Sequence, residues 1–173
     1  MNTEQEQLLV KSAQAGDKAA LAMLYDNITP KLFGYLVNTL KNKTLAEDLL
    51  QTTWLKAISA LPQYRTRGAK FQAWMFAIAR NECRQHWRKG QKEVGLDVTK
   101  FDVADKNEDQ TQKNILVEQI LNKLSQDDRE LLRLRYIADL PLGNIARILN
   151  INFVAVRVRL HRALARARAT VNT

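Results

Sequence analysis

The sequence predicts an all-α protein of two small helical domains, residues 1–90 and 115–173, joined by an acidic linker over 91–114. Three observations predict it. Helix breakers are scarce, with 3 Pro and 6 Gly in 173 residues, so long helices meet few interruptions. Apolar residues recur at helical spacing on both sides of one stretch that has no sustained period. That stretch, GQKEVGLDVTKFDVADKNEDQTQKN, carries six acids and too few apolar groups to hold a core of its own. Length alone allows one domain or two, and the stretch sets the boundary.

The elements follow in order. In AGDKAALAMLYDNITPKLFGYLVNTL, Leu24, Ile28, Leu32 and Leu36 keep one face of one or two helices, with Asp17 as N-cap and Pro30 at a helix start or kink. In TLAEDLLQTTWLKAISALP, Leu50, Trp54, Ala57, Ile58 and Leu61 form an apolar stripe. Thr44 with Glu47 has the form of a capping box, and Pro62 ends the helix. QYRTRG reads as a basic loop. AKFQAWMFAIARNECRQHWRK then gives a helix with Phe71, Trp74, Met75 and Ile78 on its buried side. Arg80, Arg84 and Arg88 fall at i, i+4 and i+8, a basic stripe on the other side.

Beyond the linker, Ser125 is a candidate N-cap and Pro141 an interruption. LGNIARILNINFVAVRVRLHRAL has the shape of a helix-turn-helix: a short helix to Leu149, a turn at Asn150, Ile151 and Asn152, and a second helix from Phe153. Asn150 tolerates the left-handed conformation of a tight turn, Asn152 can cap the second helix, and Ile151 can fill the angle between them. On the second helix Phe153, Val156, Leu160, Ala163, Leu164 and Ala167 share a face. The arginines fall on the remainder, where Arg157, Val158, His161 and Arg162 can be offered to a DNA groove.

Charge points the same way. The net charge is +9, and from Pro141 to Thr173 there are six arginines and no acid. Such a surface meets a polyanion, nucleic acid first and an anionic membrane surface as the lesser alternative. No apolar run is long enough to span a bilayer, and the single cysteine, Cys83, excludes an internal disulfide and a cysteine-based zinc site. The start, MNTEQEQLLVKSAQAGDK, lacks the apolar core of a signal peptide, so a cytoplasmic location without membrane insertion is expected.

Three separated segments, AEDLLQTTWLKA, FQAWMFAIARNECRQHWRK and LSQDDRELLRLRYIADLPLGNIARILNINFVAVRVRLHRALARA, resemble in order and spacing the bacterial extracytoplasmic-function (ECF) sigma factors of the sigma-70 family. The resemblance covers nearly the whole chain. It implies a sigma-2-like domain over 1–90, a linker over 91–114 and a sigma-4-like domain over 115–173. It further implies a dissociable subunit that directs RNA polymerase core to promoters and assists opening, with no bond chemistry, cofactor or metal of its own. By that resemblance Asp48, Leu49, Leu50 and Gln51, with Trp54 and Leu55, dock on the clamp of the beta-prime subunit, and the chain also contacts the beta subunit. Tyr64, Arg65, Arg67, Arg80, Asn81, Arg84, Trp87 and Arg88 would capture the −10 promoter DNA, and Arg157, Val158, Arg159, His161 and Arg162 would read the −35 element. Family members are commonly held by an anti-sigma factor. Val158 replaces a polar residue typical of the family, which favours contact with a thymine methyl over hydrogen bonding.

Two other classes fit parts of the pattern. A dimeric repressor would keep the helix-turn-helix, and it would need neither the DLLQ segment nor the arginine stripe over 80–88. A DNA-processing nuclease or recombinase would need clustered carboxylates for metal or a positioned nucleophile, whereas the acids at 47 and 48 and at 127, 128 and 130 sit where helix starts explain them.

Overall fold

The computed structural model describes residues 3–65, 70–94 and 120–171, with side chains as far as Gly90 and Ala169 in the second and third stretches. Among them no strand occurs. Arg67 and residues 95–114 of the expected linker lie outside the described residues. The chain divides into two compact units, Met1–Val103 and Ala104–Thr173.

The first unit contains α1 (Thr3–Gln14), α2 (Lys18–Leu40), α3 (Lys43–Ala60), a 3-10 turn (Leu61–Gln63) and α4 (Phe71–Val94). Asp17 starts α2 as expected: its carboxylate accepts the N–H groups of Ala19 and Ala20 at 2.8 and 3.2 Å. A single helix then runs through Pro30. Lys41, at φ 56°, turns the chain out of α2, leaving Asn42 extended. The Asn42 side chain accepts the Leu45 N–H at 2.9 Å. The cap of α3 is therefore Asn42 and not the Thr44/Glu47 box, because the sharp turn at Lys41 starts the helix ahead of Thr44. α2 packs on the three other helices. Its Leu24, Leu32, Tyr35 and Leu36 are fully buried with Met75 and Phe76 of α4, and the Tyr35 and Phe76 rings meet edge to face at 5.4 Å. Cys83 of α4 is buried as well.

α1 braces the segment that joins α3 to α4. Gln14 donates from Nε2 to the carbonyls of Leu61 and Tyr64, both at 2.9 Å. At the other end of the segment the buried Glu6 carboxylate accepts the Phe71 N–H at 2.6 Å, supplying α4 with an N-cap from a different helix. Burial holds the Glu6 carboxyl above its ordinary 4.5, against the pull of that hydrogen bond and of Lys70. A raised acid pKa gives stability that is fully present below 4.5 and lost as pH rises through the folded value. Glu6→Gln keeps the acceptor and removes the charge. Its melting temperature is expected to exceed that of the parent at pH 7, with the gap closing as pH falls to 4.5 and below.

The second unit contains α5 (Gln126–Leu132), a π-helical turn (Arg133–Ile137), α6 (Leu142–Leu149) and α7 (Phe153–Val171). Ser125 caps α5 through the Asp128 N–H at 3.2 Å. Leu131, Leu134, Leu140 and Ile145 are fully buried with Val156 and Ala163 of α7. Leu160, Leu164 and Ala167 pack beside Leu124 and Leu132. Asn150 ends α6 in the left-handed region, φ 55° and ψ 46°, and Asn152 caps α7 by accepting the Ala155 N–H at 2.6 Å. The turn expected from the sequence is the turn observed. Phe153 departs from it, at 50% exposure: it is the first residue of α7, and full burial begins only at Val156.

Candidate nucleic-acid interface

Three surfaces carry the residues singled out in the sequence. On α3, the stripe Asp48, Gln51 and Leu55 is exposed, Leu55 to 69%, and Leu49 and Leu50 are half-buried beside it. Trp54 is different. It is 4% exposed, and its indole Nε1 donates to Thr29 Oγ1 of α2 at 3.1 Å. The exposed Tyr25 ring packs on it at 4.9 Å. The expectation that Trp54 offers itself to a partner is corrected: it fills the α2/α3 core and positions its neighbours. Lys56 on α3 holds Glu82 of α4 at 2.6 Å, fixing the two helices to each other.

On α4, Asn81, Arg84 and Arg88 are exposed, and with Gln85 they line a surface hollow of about 390 Å³. Gln85 completes a set at i, i+3, i+4 and i+7 that the sequence reading left out, although its spacing from Asn81 was visible. Arg80 is half-buried and engaged within the protein, and Trp87 is half-buried. Tyr64 is corrected like Trp54: it is 8% exposed, with its ring against Phe71 at 5.3 Å and Trp74 at 4.7 Å. Burial, helped by the Glu6 charge, pushes its hydroxyl up to about 12. It cannot stack on a base from there. Arg65 is exposed, and its guanidinium donates to the Pro62 and Tyr64 carbonyls at 3.3 and 3.1 Å.

On α7, Arg157, Val158, Arg159, His161 and Arg162 are all exposed, on the helix that follows the tight turn. Arg166, further along the same basic helix, is engaged within the protein. It pairs with the buried Asp128 at the start of α5, at 2.6 and 2.8 Å, and so fixes the far half of α7 to α5. Among the described residues no group of His, Cys, Asp or Glu could hold a metal ion, and no helix is long and apolar enough to cross a membrane.

Comparison with known proteins agrees with this architecture. Residues 24–93 match the family model for sigma-70 region 2, and residues 115–166 match that for sigma-70 region 4. The chain is 30% identical to the RNA polymerase sigma-H factor of Pseudomonas aeruginosa over 94% of its own length and 92% of the relative's. It is 29% identical to the ECF RNA polymerase sigma factor SigM of Bacillus subtilis, over 86% and 93%. It is also 28% identical to the ECF RNA polymerase sigma factor BldN of Streptomyces coelicolor, of whose length it spans 62%. Its fold is similar to that of CnrH in complex with the cytosolic domain of CnrY, with a TM-score of 0.75, 22% identity and 97% of each chain covered. It is similar too to that of the Bartonella quintana sigma factor RpoE bound to the anti-sigma factor NepR, with a TM-score of 0.71, 24% identity, and 88% and 97% covered. The chain thus belongs to the ECF sigma factors of the sigma-70 family, the subunits that give RNA polymerase its promoter-specific initiation.

Proposed function

We propose that the three surfaces divide the work of a sigma factor. Asp48, Leu49, Leu50, Gln51 and Leu55 on α3 dock on the beta-prime clamp of RNA polymerase core, within a core- and −10-binding domain over 1–90. Asn81, Arg84 and Arg88 on α4, with Gln85 beside them and Arg65 and Arg67 before them, hold the −10 element and its unpaired strand. Guanidinium planes stack on exposed bases and neutralise phosphates, which suits a single strand better than a duplex. Arg157, Val158, Arg159, His161 and Arg162 on α7 face the −35 element from a domain over 115–173, the linker 91–114 joins the two domains, and the beta subunit completes the core contact. The protein performs no bond chemistry, works in the cytoplasm, and is held in reserve by an anti-sigma factor, as the relatives solved in such complexes suggest.

The observation that carries this reading is α7: an exposed surface with arginines and no acidic residue, on a helix that buries its other side, directly after a capped helix-turn-helix turn. Run-off transcription with bacterial core polymerase, with and without the chain, on fragments including the one upstream of its own gene, tests it. Transcripts that require the chain support the reading. Tight dimeric binding to a palindrome without any such transcript would replace it with a repressor. The −10 assignment has its own check. Arg84→Ala is expected to weaken binding of the holoenzyme to promoter DNA and to reduce the slope of log affinity against log salt by about 0.7 to 0.9, the share of one phosphate contact. An unchanged slope would remove Arg84 from the DNA interface.

A further inference from the structure

We propose that α7 reads its promoter element through an apolar seam that recognises thymine methyl groups, with arginines on both sides as backbone clamps. The inference rests on α7 being the −35 reader and specifies what it reads. Val156, Leu160, Ala163 and Ala167, the inner face of α7, recur at i, i+4, i+7 and i+11. Val154, Val158, His161 and Ala165 recur with the same spacing, two residues out of register. Two residues turn an α-helix by about 200°. The second row therefore lies opposite the core, and all four of its members are exposed, Val154 to 67% and Val158 to 43%.

Arg157 and Arg168 border this row on one side, and Arg162 on the other. Apart from His161, the middle of the outer face is thus apolar, and its flanks are cationic. Two exposed valines one turn apart are poor choices for a solvated helix, since β-branching lowers helix propensity and their methyls meet only water. A major groove changes that. Its floor presents one apolar group, the thymine C5 methyl, and valine can contact it while offering no hydrogen bond to any base edge. Residues near the start of a recognition helix reach the bases, which favours Val154 and Val158 over Ala165. Arginines on the flanks are placed for the phosphates of the two strands.

The test uses holoenzyme assembled from the full chain and bacterial core polymerase. Binding sites are selected from promoter duplexes randomised across the −35 window, and each thymidine of the selected element is then replaced singly by deoxyuridine, which removes only the methyl. Affinity is expected to fall about fourfold at one or two positions, the value of one buried methyl-sized group. The double variant Val154→Ser, Val158→Ser should bind the thymine and uracil forms equally, while melting as the parent does because both sites are exposed. A selected element with no uracil-sensitive position overturns methyl reading, leaves α7 as the −35 reader, and returns the seam to a protein-contact role. Uracil sensitivity that persists in the double variant overturns the assignment to the valines. Failure to enrich any sequence in the window overturns the −35 reading and the seam together.

Discussion

Replacing Asp48 and Gln51 together by alanine is expected to weaken binding to core polymerase by about 30-fold, from about 1 kcal/mol for each contact truncated inside an interface. Both side chains are exposed on α3, so the change should leave stability within about 0.5 kcal/mol of the parent. A titration of labelled core polymerase measures the first quantity, and a denaturant melt of the free chain the second. Factor-dependent run-off transcription should fall in parallel at limiting concentration and recover when the variant is supplied in excess. Equal affinity of parent and variant would move the docking face off this stripe. Leu55→Asp probes the same face by a different route, placing a charge where an apolar contact is expected.

Trp54→Ala should produce the opposite pattern. Removing a buried indole costs about 3 to 5 kcal/mol, the lost transfer energy plus the cavity left behind. Here the hydrogen bond to Thr29 and the support under Tyr25 go with it. The first unit is expected to melt at markedly lower denaturant, and any loss of polymerase binding should track the unfolded fraction. Leu55→Ala, one residue along, should spare stability and cost affinity. A Trp54→Ala chain that melts like the parent would show that the indole is not held in the core.

Neighbours with such different expected roles show where sequence reading succeeds. Period and caps are local, so Asp17, Ser125, Asn150 and Asn152 could be assigned from their own surroundings, and each does the expected work. The exposed face of α7 was legible for the same reason. The width of a buried sector is not local. Trp54 and Asp48 lie on one helix, and only the approach of Thr29 and Tyr25 from α2 decides which of them is covered. Tyr64 read as a loop aromatic free to stack on DNA, yet Phe71 and Trp74, on the far side of that loop, return to enclose it. Arg166 looked like part of a uniform basic face until Asp128, 38 residues away, claimed it. The α3 cap was missed for a subtler reason: a left-handed lysine ahead of Asn42 has no sequence signature, whereas Thr44 and Glu47 formally match one.

The brace formed by α1 changes the entropy of the segment it spans. Gln14 fixes the carbonyls where the chain leaves the 3-10 turn, and Glu6 fixes the amide where α4 begins. The two grips sit eight residues apart on one rigid helix, about 12 Å along its axis at 1.5 Å per residue. The ends of the intervening basic segment are therefore held at a set separation before any ligand arrives. Ends fixed in advance lower the entropy lost when a segment closes around a ligand, because their separation no longer has to be set at that moment. If the proposed −10 role holds, the first helix, far in sequence from every arginine assigned to DNA, contributes to strand capture by pre-organisation.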